Sequence, residues 1–64
     1  MKENELFKRL NEVNGNALVI GFSNDSDVNV AIESAEKLEN EGRIELVDIT
    51  KYDDNSLSIK AYVK

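Results

Sequence analysis

The sequence predicts a small α+β domain with elements in the order α-β-α-β-β. It places a three-stranded mixed sheet, spatial order 1-3-2, under two helices that share one face. Three patterns predict this. Val28, Ala31, Ile32, Ala35 and Leu38 recur at helical spacing, and Gly42 closes that helix. Leu57, Ile59, Ala61 and Val63 alternate with Ser58, Lys60 and Tyr62, as in a strand with one covered face. Leu18, Ile20 and Phe22 alternate with Ala17, Val19 and Gly21 in the same way.

The elements follow in order. Leu6, Phe7, Leu10 and Val13 form an apolar stripe on a helix over 3–13, which Asn14-Gly15-Asn16 stops. The first strand spans 17–22. Ser23-Asn24-Asp25-Ser26 supplies side-chain oxygens for the unpaired N–H groups of the second helix, expected over 26–41. Glu33 and Lys37 are spaced to pair on its outer side. The strand over 43–50 alternates unevenly: Ile44 and Leu46 point one way, Val47 and Ile49 the other, with a bulge that turns Val47 inward as the alternative. Asp53-Asp54-Asn55 lies in a polar turn before the last strand. Short connections make the first two strands parallel, and the last strand fits between them, antiparallel to both.

The chain is read as one domain, 1–64, of 64 residues. A chain of this size buries only about 60 % of its unfolded surface, so a second copy is a natural source of added stability. It contains no cysteine and no histidine, which removes disulfides, thiolate or imidazole ligands and the usual activated nucleophiles. No apolar run approaches a membrane span, and the first ten positions hold Lys2, Glu3, Glu5, Lys8 and Arg9, so a soluble cytoplasmic protein is expected. Eight basic residues stand against thirteen acidic ones, a net charge of −5 that opposes broad contact with phosphates.

Two motifs touch known families. Ala31-x3-Ala35-x2-Leu38-x3-Gly42-x-Ile44, followed by the hairpin from 44 to 63, resembles the C-terminal half of winged helix-turn-helix domains. The resemblance implies the strand order 1-3-2, a recognition helix over 26–41 and a wing over 44–63. That family carries another helix before its recognition helix, where this chain has about four residues. Asp25, Asp27, Asn29 and Glu33 would head the recognition helix, and Asp53 and Asp54 would tip the wing. Carboxylates there repel a phosphate backbone. Separately, Asp25, Asp27, Asn29, Ile32 and Glu36 match the spacing of a calcium loop. Its central glycine is replaced by Val30, and the helical stripe runs through its second half. A capped, acidic helix start explains these residues better.

No catalytic, cofactor-binding or metal-binding residues are assigned. The expected site is the sheet face without helices, which would present Val19, Val47, Ile49 and Tyr62 beside Ser58, with Tyr52 and Lys60 at its rim. Aspartate at Val47 or Ile49 should then spare the fold and abolish association. The expected function is a non-enzymatic binding module that self-associates or docks a protein partner. A winged-helix regulator that binds nucleic acid is the second reading. No membrane, small-molecule substrate or cofactor is expected.

Overall fold

A computed structural model describes residues 2–64. It contains α1 (Glu3–Val13), β1 (Ala17–Gly21), α2 (Asp25–Asn40), β2 (Ile44–Lys51) and β3 (Ser56–Val63). The sheet order is β1-β3-β2, and β3 runs antiparallel to both neighbours. The expected fold class is therefore present. The sheet is mixed only in that β1 and β2 point the same way; they do not touch, and every bonded pair is antiparallel.

Local chemistry fixes the ends of α2. The Asn24 side chain accepts from the Asp27 N–H at 2.8 Å, satisfying one of the open donors of the first turn. At the other end Arg43 N–H donates to the Leu38 carbonyl at 3.0 Å and Gly42 N–H to that of Glu39 at 2.9 Å. Gly42 sits at φ +74°, the left-handed conformation this closing pair requires. Helix α1 starts beside the end of α2. Glu3 meets Lys37 at 3.4 Å and Arg43 at 3.7 Å, and the Arg43 guanidinium lies 4.2 Å from the centre of the Phe7 ring. Lys37 thus reaches across to α1, where the sequence pairs it with Glu33.

Both helices cover one side of the sheet. Leu6 and Leu10 of α1, and Val28, Ala31, Ala35 and Leu38 of α2, are fully buried against Ile44, Leu57, Ile59 and Ala61. Leu18 and Ile20 of β1 close the core beside them. The C-terminal end of the central strand β3 is tied to the turn between α1 and β1. Gly15 N–H donates to the Ala61 carbonyl at 2.9 Å, and Val63 N–H to the Asn14 side chain at 2.9 Å. Gly15 adopts φ +87°, and a Cβ there would meet the Tyr62 ring at 2.7 Å.

The uneven pattern of β2 is a bulge. Leu46 lies opposite Ala61, but Asp48 lies opposite Lys60, so Val47 is an extra residue. Past it the faces exchange. Ile49 sits opposite the buried Ile59 on the helix side and packs on the core. Lys51 also turns to that side, where its ammonium meets Asp25 and the Asn29 side-chain oxygen at the start of α2. The β2–β3 connection closes where Tyr52 N–H donates to the Ser56 carbonyl at 3.0 Å, with Asn55 at φ 62° completing the three-residue loop. No helix among the described residues is long and apolar enough to cross a membrane.

Candidate functional site: the uncovered sheet face

The register builds the uncovered face row by row. Tyr62 lies beside Glu45; Ala17, Lys60 and Asp48 form the next row; Val19, Ser58 and Thr50 the next. Gly21 and Ser56 form the last row, with Tyr52 opposite Ser56 at its hairpin end. Val47, the bulge residue, stands between the first two rows at the β2 margin. Val19, Val47, Tyr62 and Tyr52 are 64 %, 51 %, 50 % and 48 % exposed. Only Val30, on α2, joins them among exposed large apolar side chains of the described residues.

The face differs from the expectation in two respects. Ile49 does not belong to it: the bulge turns Ile49 toward the helices, so aspartate there would enter the core instead of leaving the fold intact. Val47 stays outside. The remaining apolar residues also do not form one patch. Val19 lies on β1, two strands or roughly 10 Å from Val47 on β2, and Lys60 and Ser58 lie between them. Lys60 therefore sits at the centre of the face, not at its rim. Tyr52 does lie at the rim.

Ala17, Gly21, Glu45, Asp48, Thr50, Ser56 and Ser58 complete the surface, and of these the sequence placed only Ser58 on the face. The alternation of β3 contained the signal for Ser58. Of the β2 residues, Glu45 follows from alternation with Ile44 and Leu46, whereas Asp48 and Thr50 required knowledge of the bulge. The Asp48 carboxylate accepts from the Thr50 hydroxyl at 3.2 Å, so part of its hydrogen-bonding capacity is used within the face. One cation, Lys60, faces two carboxylates, Glu45 and Asp48. The chemistry offered is two tyrosines, small hydroxyls and mixed charge around a flat sheet.

The two family motifs lie elsewhere. Asp25, Asp27, Asn29, Ile32 and Glu36 ride a continuous helix, so the backbone does not wrap as a calcium loop does. The hydrogen bond and charge of Lys51 hold the Asp25 carboxyl below the usual carboxylate range. At the hairpin tip, the Ser56 hydroxyl and backbone N–H bind Asp54 and lower its pKa in the same direction. Both carboxylates are thus held ionised, at the helix start and wing tip of the winged-helix correspondence. Comparison with protein-family models, curated proteins and solved structures returns no match for the chain.

Proposed function

We propose that the protein is a non-enzymatic, cytoplasmic binding module whose uncovered sheet face docks a protein surface. One observation carries this reading: among the described residues, four of the five large apolar side chains left exposed lie on or beside the sheet face that no helix covers. The composition of the face supports it further. Tyrosines supply broad contact area with few rotors to immobilise, and serine and threonine hydroxyls adapt their hydrogen bonds to a partner. Absence of histidine and cysteine from the sequence agrees with a role without nucleophilic chemistry.

Capture with immobilised wild-type chain, and with Val47→Asp and Tyr52→Ala variants, tests the proposal. Partners retained by the wild type and released by both folded variants support it. Equal capture by all three sinks it. Mobility shift on duplex DNA at two salt concentrations tests the winged-helix alternative. Docking through this face predicts no shift even at low salt, whereas a nucleic-acid regulator would bind and weaken as salt rises.

A further inference from the structure

The turn between α1 and β1 holds the sequence's single Asn-Gly step, Asn14-Gly15. This is a chemically labile pair. The backbone nitrogen after an asparagine can attack the side-chain carbonyl carbon, and glycine presents no Cβ to obstruct the approach. In the fold, both reactants are held by one strand. Gly15 N–H donates to the Ala61 carbonyl at 2.9 Å, and Asn14 Oδ1 accepts from Val63 N–H at 2.9 Å. These bonds carry the β1–β3 ladder past the Ala17–Lys60 pair, with a side-chain oxygen standing in for a backbone carbonyl. The Tyr62 ring lies over the same glycine, 2.7 Å from where a Cβ would stand. Three consecutive residues of β3 therefore engage the dipeptide.

Ring closure needs these contacts undone. The Gly15 nitrogen must lose the proton it now donates to Ala61. The Asn14 side chain must swing its carbonyl carbon onto that nitrogen, away from the orientation in which Val63 holds it. The Val63 bond polarises the Asn14 carbonyl, but polarisation gives no product while the nitrogen keeps its proton.

We infer that Asn14-Gly15 is a deamidation site gated by the C-terminal end of β3: it is protected while Ala61–Val63 is docked and reacts when that end opens. The only co-reactant is water. The deprotonated Gly15 nitrogen adds to Asn14 Cγ, the bond from Cγ to the side-chain nitrogen breaks, and ammonia leaves carrying the proton. The five-membered succinimide then takes up one water at either carbonyl. One opening leaves aspartate at position 14, which still offers Val63 N–H an oxygen. The other leaves isoaspartate, which routes the main chain through the former side chain and lengthens it by one carbon. That shifts Gly15 out of register with Ala61, so the end of β3 no longer docks as before. The site thus converts a transient opening into a covalent change. The inference does not depend on what the uncovered face binds.

Peptide mapping by mass spectrometry of the full chain, aged in water enriched in heavy oxygen, tests it by counting conversion at each asparagine. The native chain should convert at Asn14 at least about ten-fold more slowly than the chain unfolded in guanidinium at the same pH and temperature. Val63→Pro removes the N–H that holds Asn14 and no bond to β2, since that N–H points to the turn. It should speed conversion in the folded chain about five-fold, the worth of one hydrogen bond. Equal rates in native and unfolded chains overturn the proposal. So does a folded Val63→Pro variant that converts no faster than the wild type, or an unfolded chain that reacts first at another asparagine. If Val63→Pro does not fold, the wild type in sub-denaturing guanidinium decides. Conversion that rises in step with exchange of the Gly15 N–H supports the gate; conversion that stays constant while that exchange rises overturns it.

Discussion

The covered and uncovered faces of the sheet are made from the same three strands yet follow different rules. On the covered side, Leu57, Ile59 and Ala61 are fully buried between two helices. Burial there removes apolar surface from water at about 25 cal/mol per Å², and packing leaves each side chain little choice. On the other side, Ser58, Lys60 and Tyr62 of the same strand stand among serine, threonine and mixed charge. The covered face determines whether the chain folds. The uncovered face is free to vary, because changing it costs the fold little.

The largest expected effect probes the covered face directly. Ile59→Ala, at the centre of β3, should cost about 2–5 kcal/mol by leaving a cavity; urea denaturation measures it. Such a loss removes much of the stability of a domain this small. Next comes the boundary drawn by the bulge. Ile49→Asp pushes a carboxylate toward the helices and should cost about 1–3 kcal/mol, whereas Val47→Asp, two residues earlier, should stay within about 0.5 kcal/mol. Equal losses in the two variants would refute the face exchange at Val47. Gly15→Ala should cost about 1–2 kcal/mol, because it adds a strained φ to a clash with Tyr62, and Gly42→Ala less, because only φ is strained. Matching melting temperatures for these two would remove Tyr62 from the explanation.

The smallest effect is electrostatic. Asp25, Asp54 and Glu3 have pKa values lowered in the folded chain, by Lys51, by Ser56, and by a hydrogen bond from Glu41 with help from Lys37 and Arg43. A lowered pKa gives stability that is present above the unfolded value and lost as the pH falls through the folded one. Stability should therefore decline as the pH drops below about 4. Glu41 has the opposite sign. Its contact with Glu3 raises its pKa, so its contribution is present in acid and lost as the pH rises through the raised value. Asp25→Asn should flatten the acid limb of a pH-dependent urea titration. An unchanged limb would mean that the Lys51 pair is fully screened. Asp25, Asp54 and Glu41 are solvent-exposed and Glu3 is half-buried, so the effect is small and salt-sensitive.

Much of the covered face was legible because burial leaves a period in the sequence. The helical stripe of Val28, Ala31, Ala35 and Leu38 and the alternation of Leu57, Ile59 and Ala61 required only counting. Gly42 announced its own conformation. The uncovered face was less legible because it is defined by which residues lie opposite one another. Ile44, Leu46 and Ile49 all face the helices, at spacings of two and then three; that extra step was visible, and it marks a bulge. Read without the bulge, it moved Ile49 to the wrong side and made the face more apolar than it is. The central position of Lys60 followed from pairing with Ala17 and Asp48, which no single-strand pattern contains. Lys37 was misassigned for a related reason: a helix pattern shows neighbours on one helix and hides Glu3 on another.

The last strand in chain order lies in the middle of the sheet, and this sets when the molecule can exist. β1 and β2 share no ladder of their own; each is held by β3 alone. Without β3, α1 and α2 can still meet through Glu3, Lys37 and Arg43, but no ladder joins β1 to β2. The sheet can close only once β3 has entered between them, so its assembly waits on pairings as distant in sequence as Ala17 with Lys60.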